Sequence, residues 1–203
     1  PERMQVFADL QTWLDQRLDR RHADDGPVPD YILYGGELSY YTGKARAYMR
    51  FKALPFEERV ASREVYRDII VPGVGAPIIP VLQTADGELV QDTTEIIDFL
   101  EARHPESAIY PAGPVQKLVA LMLEHYADEW LVIPAMHYRW SYLDDQYAFI
   151  MGEFGALSAP EETRENQIAI GEKVSAPFRG SIGMLGVTEA TADAIEAGWL
   201  TLL

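Results

Sequence analysis

The sequence contains no cysteine among its 203 residues. This absence excludes a disulfide framework, a thiolate metal cluster and a cysteine nucleophile, and it leaves no thiol to cycle in thiol–disulfide exchange. His125 and Glu129 stand at helical spacing, but no third ligand is evident, so no metal centre is expected. A cysteine-free chain is compatible with a reducing compartment.

Positive charge is scarce as well. Seventeen Lys and Arg residues stand against 32 Asp and Glu residues, which gives a formal net charge of −15. Nucleic-acid binding needs a basic face, and electrostatic binding to an anionic membrane also needs positive charge. We therefore expect neither nucleic acid nor a membrane as a partner. The sequence also lacks an apolar run long enough to predict a membrane-spanning helix.

Apolar content is ample, because 48% of the residues are hydrophobic. The length suits one large domain or two small ones. The pattern predicts a helical arm with a linker at 1–29, an α/β domain at 30–106 and an all-helical domain at 107–203. Since the chain begins at Pro1 and stops within an apolar helical pattern, we expect a fragment at both ends, with the truncation at its end falling in the helical domain.

The arm has apolar side chains at three- and four-residue steps over residues 3–20, which predicts an amphipathic helix. We interpret it as a packing arm, with a partner-binding arm as the alternative. The sequence pattern of the next domain predicts the order β-α-β followed by β-β-α, and the first two strands are expected to be parallel. Residues 62–75 are expected to be irregular, with one helical turn from Arg63 to Ile69. The expected strands are 31–34, 56–61, 77–82 and 88–91, and the expected helices are 42–53 and 92–104.

After Pro114 the strand patterns stop. A long helical pattern from Val115 to Trp140 contains Pro134, where a kink is expected. Weaker helices are expected at 146–154 and 162–174. A last helix, capped by Thr188, is expected to turn Ala192, Ile195, Trp199 and Leu202 inward.

Pro80 is the most informative single residue. A proline within a strand removes a hydrogen-bond donor and is disfavoured there. A cis Ile79–Pro80 bond would turn the amide and carbonyl of Ile79 outward, where they can pair with an extended peptide ligand. The alternative is an edge strand that tolerates proline.

Asp92-Thr93 forms a second motif at the predicted start of a helix. A threonine hydroxyl with free helix N–H groups suits a carboxylate, and the adjacent aspartate suits an ammonium group. Together they fit the amino-acid end of a γ-glutamyl group. The alternative is an ordinary helix cap.

Ser39-Tyr40-Tyr41-Thr42 forms a third motif, between the first strand and the first helix. Hydroxyl groups at a helix N-terminus can stabilise a ligand thiolate, because hydrogen bonding to the anion lowers the thiol pKa. The alternative is that Ser39 only caps the helix and the tyrosines pack in the core.

In this order and spacing the three motifs resemble the glutathione transferase family, over roughly residues 30–203. The resemblance implies an α/β thioredoxin-like domain followed by an all-α helical domain, with the N-terminal helix as an extra element. It implies a cytoplasmic homodimer that binds glutathione as co-substrate and transfers it to a small hydrophobic electrophile.

The resemblance also implies roles for single residues. A hydroxyl group after the first strand would activate the glutathione sulfur, the proline would be cis beside the cysteinyl backbone, and the helix start would bind the γ-glutamyl group. The implied catalytic residues are Ser39, Tyr40 and Tyr41, and the implied glutathione-binding residues are Ile79, Pro80, Asp92 and Thr93.

The sequence departs from the family near the glycine end of glutathione. Ile78 stands where the family often has Lys or Gln, and Lys44 and Arg46 are the cations that could compensate. The stretch 71–79 is also unusually rich in Gly and Pro. These departures keep open a second hypothesis, a non-catalytic binding or interaction protein with the same fold and a partner surface at 1–29.

The electrophile pocket is expected between the two domains. Apolar side chains of the long helical pattern are the candidates, and the alternative is that most of them belong to the core. The candidates are Met122, Tyr126, Trp130, Met136, Tyr138 and Trp140.

Overall fold

The computed structural model describes residues 29–202, and the helix predicted at 3–20 lies outside them. A four-stranded mixed sheet in the order β2-β1-β3-β4 forms the first half. The strands β1 and β2 are parallel, as predicted, and β3 is antiparallel to both β1 and β4. The strands are β1 (Tyr31–Gly35), β2 (Phe56–Val60), β3 (Val81–Thr84) and β4 (Leu89–Gln91).

Side chains of the central strands alternate between two buried faces. Leu33 pairs with Leu82, and both are buried in a cluster with residues of α1 (Tyr40–Phe51) and α4 (Thr93–Arg103). Tyr34 pairs with Val81 and belongs to the cluster on the other face. Because both faces of the sheet are buried, the sequence of the first strand is a continuous apolar run.

The segment at 63–74 is helical throughout, so the helical turn expected at 63–69 is present and the expectation that the rest is irregular was wrong. A short helix, α2 (Arg63–Val65), continues through a π-helical turn (Tyr66–Ile70) into α3 (Val71–Val74). Ile70 is fully buried and packs in the Tyr34 cluster. Pro72 and the glycines that follow it hide the helical period in the sequence, and Gly75 ends the helix at φ 81°.

The third strand is shorter than the predicted 77–82, because its pairing begins at Val81. Pro80 therefore precedes the ladder instead of interrupting it, which fits a residue that has no N–H to donate. The hairpin after the strand is present, with Gly87 at φ 91° and the Thr84 N–H donating to the Glu88 carbonyl.

The second half is all-helical, as predicted. Its core is formed by Trp140, Ile150, Met151 and Phe154. Two helices approach closely at Gly155, where a Cβ atom would collide with the backbone of Gln167. No helix within residues 29–202 is long and apolar enough to span a membrane. The helices are α5 (Pro114–Glu129), α6 (Val132–Ser141), α7 (Leu143–Ser158), α8 (Arg164–Ser181) and α9 (Ala192–Leu202), with a 3-10 turn at Ile182–Leu185.

The kink predicted at Pro134 is a break between α5 and α6 that comes before the proline. Pro134 lies in the first turn of α6, where a residue without an N–H group loses no helical hydrogen bond. The last helix begins after Thr188, whose carbonyl accepts from the Ala192 N–H at 3.0 Å. Leu202, which was expected to point inward, is exposed.

Candidate functional site

A cleft of about 380 Å³ lies at the junction of the two halves. Its walls come from the segment before β3, from the start of α4 and from the C-terminal half of α5. Five of the seven predicted site residues line it, whereas Ser39 and Tyr40 do not. The five are Tyr41, Ile79, Pro80, Asp92 and Thr93.

Ile79 lines this cleft. The Ile79–Pro80 peptide bond is cis, and the ladder between β1 and β3 starts one residue later, where Tyr34 pairs with Val81. Within residues 29–202 the N–H and C=O groups of Ile79 make no main-chain hydrogen bond. An extended peptide can therefore bond to Ile79 as an added strand.

Asp92 and Thr93 form the start of α4 in the wall of the cleft. The Asp92 carboxylate accepts a hydrogen bond from the Thr94 N–H at 2.9 Å, so the predicted cap is present. Asp92 has φ 80°, a backbone conformation unusual for a residue other than glycine. The first N–H groups of a helix favour a carboxylate, and the exposed Asp92 carboxylate can also accept from an ammonium group.

The three hydroxyl groups that were predicted to act on a thiol differ in their hydrogen-bond partners. Tyr40 donates to the carbonyl of Ala127 and Tyr41 to the carbonyl of Asp128, each at 2.9 Å. Burial, followed by the nearby charge of Asp128, raises the pKa of both tyrosines. Both phenol groups are thus engaged and stay protonated.

Ser39 caps α1, because its Oγ accepts from the Thr42 N–H at 3.1 Å. A hydroxyl that accepts still has a proton to donate. Within residues 29–202 the Ser39 hydroxyl donates no hydrogen bond. Ser39 therefore caps α1 and still has a hydroxyl proton to donate. It lies two residues before Tyr41, which lines the cleft.

Lys44 joins α1 to α5 beneath the cleft. Its ammonium group donates to Glu124 at 2.7 Å and to Asp128 at 2.6 Å, and the Thr94 hydroxyl also donates to Glu124. Burial alone would lower the pKa of Lys44, but the bonds to Asp128 and Glu124 outweigh burial and raise it. Lys44 is thus charged and already matched by two carboxylates.

Arg46 is matched as well. Two of its nitrogens donate to the two carboxylate oxygens of Glu58 at 2.6 Å, and Glu37 lies at 3.2 Å. Neither of the two cations that could compensate for Ile78 is therefore free to bind the glycine carboxylate of glutathione. Ile78 itself is 52% exposed at the cleft.

The lining of the cleft is acidic and includes no Lys or Arg. Asp92, Glu124, Asp128 and Glu129 all contribute to it. One oxygen of Asp128, Oδ1, is buried and has no hydrogen-bond partner. The site therefore suits the ammonium end of an amino acid better than a second, distant carboxylate.

Sequence reasoning missed the contribution of α5 to this site. The four-residue step between Glu124 and Asp128 places both carboxylates on one helix face and could have indicated this contribution. A charged helix face, however, is ordinarily interpreted as a face exposed to solvent. The predicted electrophile pocket is not assembled at the cleft, because none of its six candidates lines it. Met122, Tyr126 and Trp130 are exposed, and Trp140 is in the core.

Comparison with known proteins gives a match to the first half of the chain. Residues 33–108 match the family model described as glutathione S-transferase, N-terminal domain. A comparison with curated protein sequences finds no match.

Solved structures resemble the fold at low sequence identity. The beta-etherase LigF from Sphingobium sp. strain SYK-6 is 19% identical with a TM-score of 0.50, over 83% of this chain and 68% of that one. A glutathione S-transferase from Methylobacterium radiotolerans, in complex with glutathione sulfonate, is 18% identical with a TM-score of 0.46, over 74% of this chain and 93% of that one. A glutathione transferase family member from Pseudomonas fluorescens Pf-5, with bound glutathione, is 17% identical with a TM-score of 0.44, over 83% of this chain and 91% of that one.

Proposed function

From the premise that residues 33–108 of this chain form an N-terminal domain of the glutathione S-transferase family, we propose that the protein binds glutathione and transfers it to a small hydrophobic electrophile. The observation that carries the proposal is the meeting in one cleft of Ile79, whose main-chain groups are unpaired within residues 29–202, and the start of α4. The first supplies a donor and an acceptor for a peptide backbone, and the second supplies a binding site for an amino acid.

In this proposal the cysteinyl part of glutathione pairs with Ile79 and lies beside Pro80. The γ-glutamyl carboxylate lies at Thr93, on the N-terminus of α4, and the γ-glutamyl ammonium faces Asp92 and the unpaired oxygen of Asp128. The thiol then points towards the start of α1.

Ser39 is the proposed donor to the sulfur. A free thiol titrates near pH 8.5, so only a small fraction is thiolate at neutral pH. A hydrogen bond from the Ser39 hydroxyl and the partial positive charge at the N-terminus of α1 both favour the anion and lower the thiol pKa. Tyr40 and Tyr41 are less suited to this role, because their protons are already donated to main-chain carbonyls.

The proposed reaction is a nucleophilic displacement. The thiol first loses its proton to solvent, and the thiolate then forms a carbon–sulfur bond to the electrophile. The bond from that carbon to its leaving group breaks, and the leaving group departs with the electron pair. The cleft contributes by holding the sulfur beside the electrophile.

We also propose a homodimer in which α5 packs against its copy. No residue of α5 is buried within the described chain, and Val115, Leu118, Met122 and Leu123 are each at least 58% exposed. Val115, Leu118 and Met122 follow three- and four-residue steps and form one apolar stripe, and Leu123 lies next to Met122 in the chain. A second copy related by a two-fold axis would remove that stripe from water.

A binding protein without turnover is the second candidate. The acidic cleft favours it, because no free cation in the lining matches the glycine carboxylate of glutathione. Such a protein would bind weakly or bind a related ligand and would not accelerate conjugation.

A conjugation assay separates the two candidates. Purified protein is mixed with glutathione and an activated aryl halide, and the thioether product is followed against the uncatalysed rate. We expect a saturable acceleration that depends on glutathione. Saturable binding of glutathione without any acceleration would instead select the non-catalytic candidate.

A further inference from the structure

Arg139 on α6 carries a charge that no carboxylate within residues 29–202 neutralises. Its guanidinium donates to the main-chain carbonyl of Leu38 and contacts the sulfur of Met136 at 3.7 Å. Burial alone lowers the pKa of Arg139, with no contribution from a neighbouring acid. In a chain with 32 acidic residues, an unmatched and largely buried guanidinium is unexpected.

Arg46 and Arg139 differ in the groups that neutralise them. Arg46 is also largely buried, but its fork holds both oxygens of Glu58. A guanidinium has five N–H donors, and burying one without an anion costs free energy. Arg139 uses donors on one carbonyl and on one sulfur, which is a weak acceptor. Its remaining donors are available to an acceptor that the chain does not supply.

The surroundings of Arg139 contain a second donor without an acceptor. Leu38 and Met136, the two residues that Arg139 contacts, pack against the cluster that contains Trp140. The indole N–H of Trp140 is buried and has no partner. An apolar neighbourhood with unmatched donors suits a ligand that joins an apolar body to an anionic group.

The position of Arg139 relates it to the proposed reaction. Leu38 directly precedes Ser39, the proposed donor to the sulfur, so the guanidinium lies beside the turn that opens α1. Arg139 does not line the cleft assigned to glutathione. An anion at Arg139 would therefore belong to the molecule that meets the sulfur and not to the γ-glutamyl end.

We propose that Arg139 binds a carboxylate on the electrophile, so that the second substrate is an apolar molecule with an anionic group. The planar fork of Arg fits a carboxylate through two parallel hydrogen bonds, which a neutral group cannot match. The proposal rests on the proposed function, because it assigns the electrophile of that reaction.

Two glutathione conjugates test it by calorimetric titration. Both carry a benzyl group on the sulfur, with a para carboxylate in one and a para carboxamide in the other, and unmodified glutathione is titrated in parallel. We expect the carboxylate conjugate to bind at least about tenfold more tightly than the carboxamide. Equal affinities would overturn the assignment while leaving glutathione binding intact. Failure of glutathione and of both conjugates to bind would overturn the proposed function and the assignment with it.

Variants of Arg139 test whether its guanidinium causes the preference for the carboxylate conjugate. Arg139→Gln should abolish the preference for the carboxylate conjugate, and Arg139→Lys should keep part of it. Arg63→Gln is the matched control, since Arg63 is exposed on α2 and its loss should leave the preference unchanged. The comparison of conjugates on the unaltered protein needs no variant, so a poorly folded Arg139→Gln does not block the test.

The thiolate of glutathione is the other anion that could lie at Arg139. In that case Arg139→Gln would raise the thiol pKa of bound glutathione, followed through thiolate absorbance, and would weaken both conjugates equally. That pattern would overturn the assignment to the electrophile. We expect an unchanged thiol pKa together with the lost carboxylate preference.

Discussion

The hydroxyl of Tyr41 donates a hydrogen bond to the main-chain carbonyl of Asp128 at 2.9 Å. This bond connects the first helix of the α/β domain to the helix that forms the opposite wall of the cleft. It also commits the phenol proton of Tyr41 to a structural partner, and burial raises the pKa of that phenol further. Tyr41 thus shapes the cleft and has no proton free to donate to a thiolate.

Ser39→Ala should slow conjugation far more than Tyr41→Phe does. Loss of the Ser39 hydroxyl removes a hydrogen bond to the thiolate, so kcat/KM at neutral pH should fall by roughly ten- to a hundredfold. The pH profile should shift upward, because the thiol pKa returns towards about 8.5. Tyr41→Phe should stay within about threefold of the unaltered protein, since it loses one structural hydrogen bond.

Ser62→Ala is the control for the loss of a helix cap. Ser62 also accepts from an N–H three residues later, that of Val65, but it caps α2 away from the cleft. Both serine variants should lose about 1 kcal/mol of stability. A Ser62→Ala variant as slow as Ser39→Ala would assign the whole effect to stability and remove Ser39 from the mechanism.

Glu129→Gln should strengthen glutathione binding. Glu129 is exposed in an acidic lining, and glutathione brings two carboxylates against one ammonium group. Removing one negative charge should raise the affinity by about two- to fivefold at low salt, and the gain should shrink as salt screens the charges. Titration calorimetry at two ionic strengths measures this, with Glu161→Gln, exposed between α7 and α8, as the control. Weaker binding in Glu129→Gln would show that Glu129 contacts the ligand favourably.

Glu101 holds α1, α4 and the following loop together. Tyr48 donates to it at 2.7 Å, Lys52 at 2.9 Å and the Ile109 N–H at 3.0 Å, and the Lys52 side chain is 1% exposed. Glu101→Gln leaves the Lys52 ammonium without its carboxylate, so urea unfolding should show a loss of about 2–4 kcal/mol. Glu95→Gln, exposed on the same helix, should change stability by less than about 0.5 kcal/mol.

The same carboxylate sets a pH dependence. Burial alone would raise the pKa of Glu101, but hydrogen bonds from Tyr48, Lys52 and the Ile109 N–H, with the charge of Lys52, outweigh it and lower the pKa below 4.5. Its stabilising contribution is therefore complete above the unfolded-state pKa near 4.5 and is lost as the pH falls through the lower folded-state pKa. The difference in stability between the unaltered protein and Glu101→Gln should shrink on acidification. A difference that stays constant down to the acid transition would contradict this role.

Met122→Asp should convert the proposed dimer to a monomer. Met122 is 62% exposed on the apolar stripe of α5, and a charge there would be buried at a two-fold interface. Light scattering after size exclusion measures the mass directly. Met184→Asp is the matched control, since Met184 is 84% exposed on another part of the helical domain. Identical masses for the unaltered protein and both variants would place the interface elsewhere or show that there is none.

The sequence predicted most of the elements that build the α/β half. The apolar run from Tyr31 to Tyr34, the parallel partner strand and the cap at Asp92 are all local signals, and each is present. The helix at 63–74 was predicted only as a single turn, because Pro72 and the neighbouring glycines break the period that reveals helices.

The acidic wall of the cleft could not be predicted, because it depends on contacts between distant segments. Lys44 donates a hydrogen bond to Glu124, which lies 80 positions further along the sequence, and no local pattern predicts that pairing. For the same reason Lys44 looked free to bind a ligand carboxylate. Arg139 likewise gained its significance only from its contact with Leu38, 101 positions away.

Titration of glutathione into the unaltered protein and into Asp92→Asn tests the central claim most directly. Asn keeps the cap, is close in size to Asp at this position of positive φ, and removes the charge that faces the γ-glutamyl ammonium. We predict one binding site per chain, an affinity about tenfold weaker in Asp92→Asn, and no change in Glu95→Gln. No binding by the unaltered protein, or equal affinity in Asp92→Asn, would contradict the assignment of this cleft to glutathione.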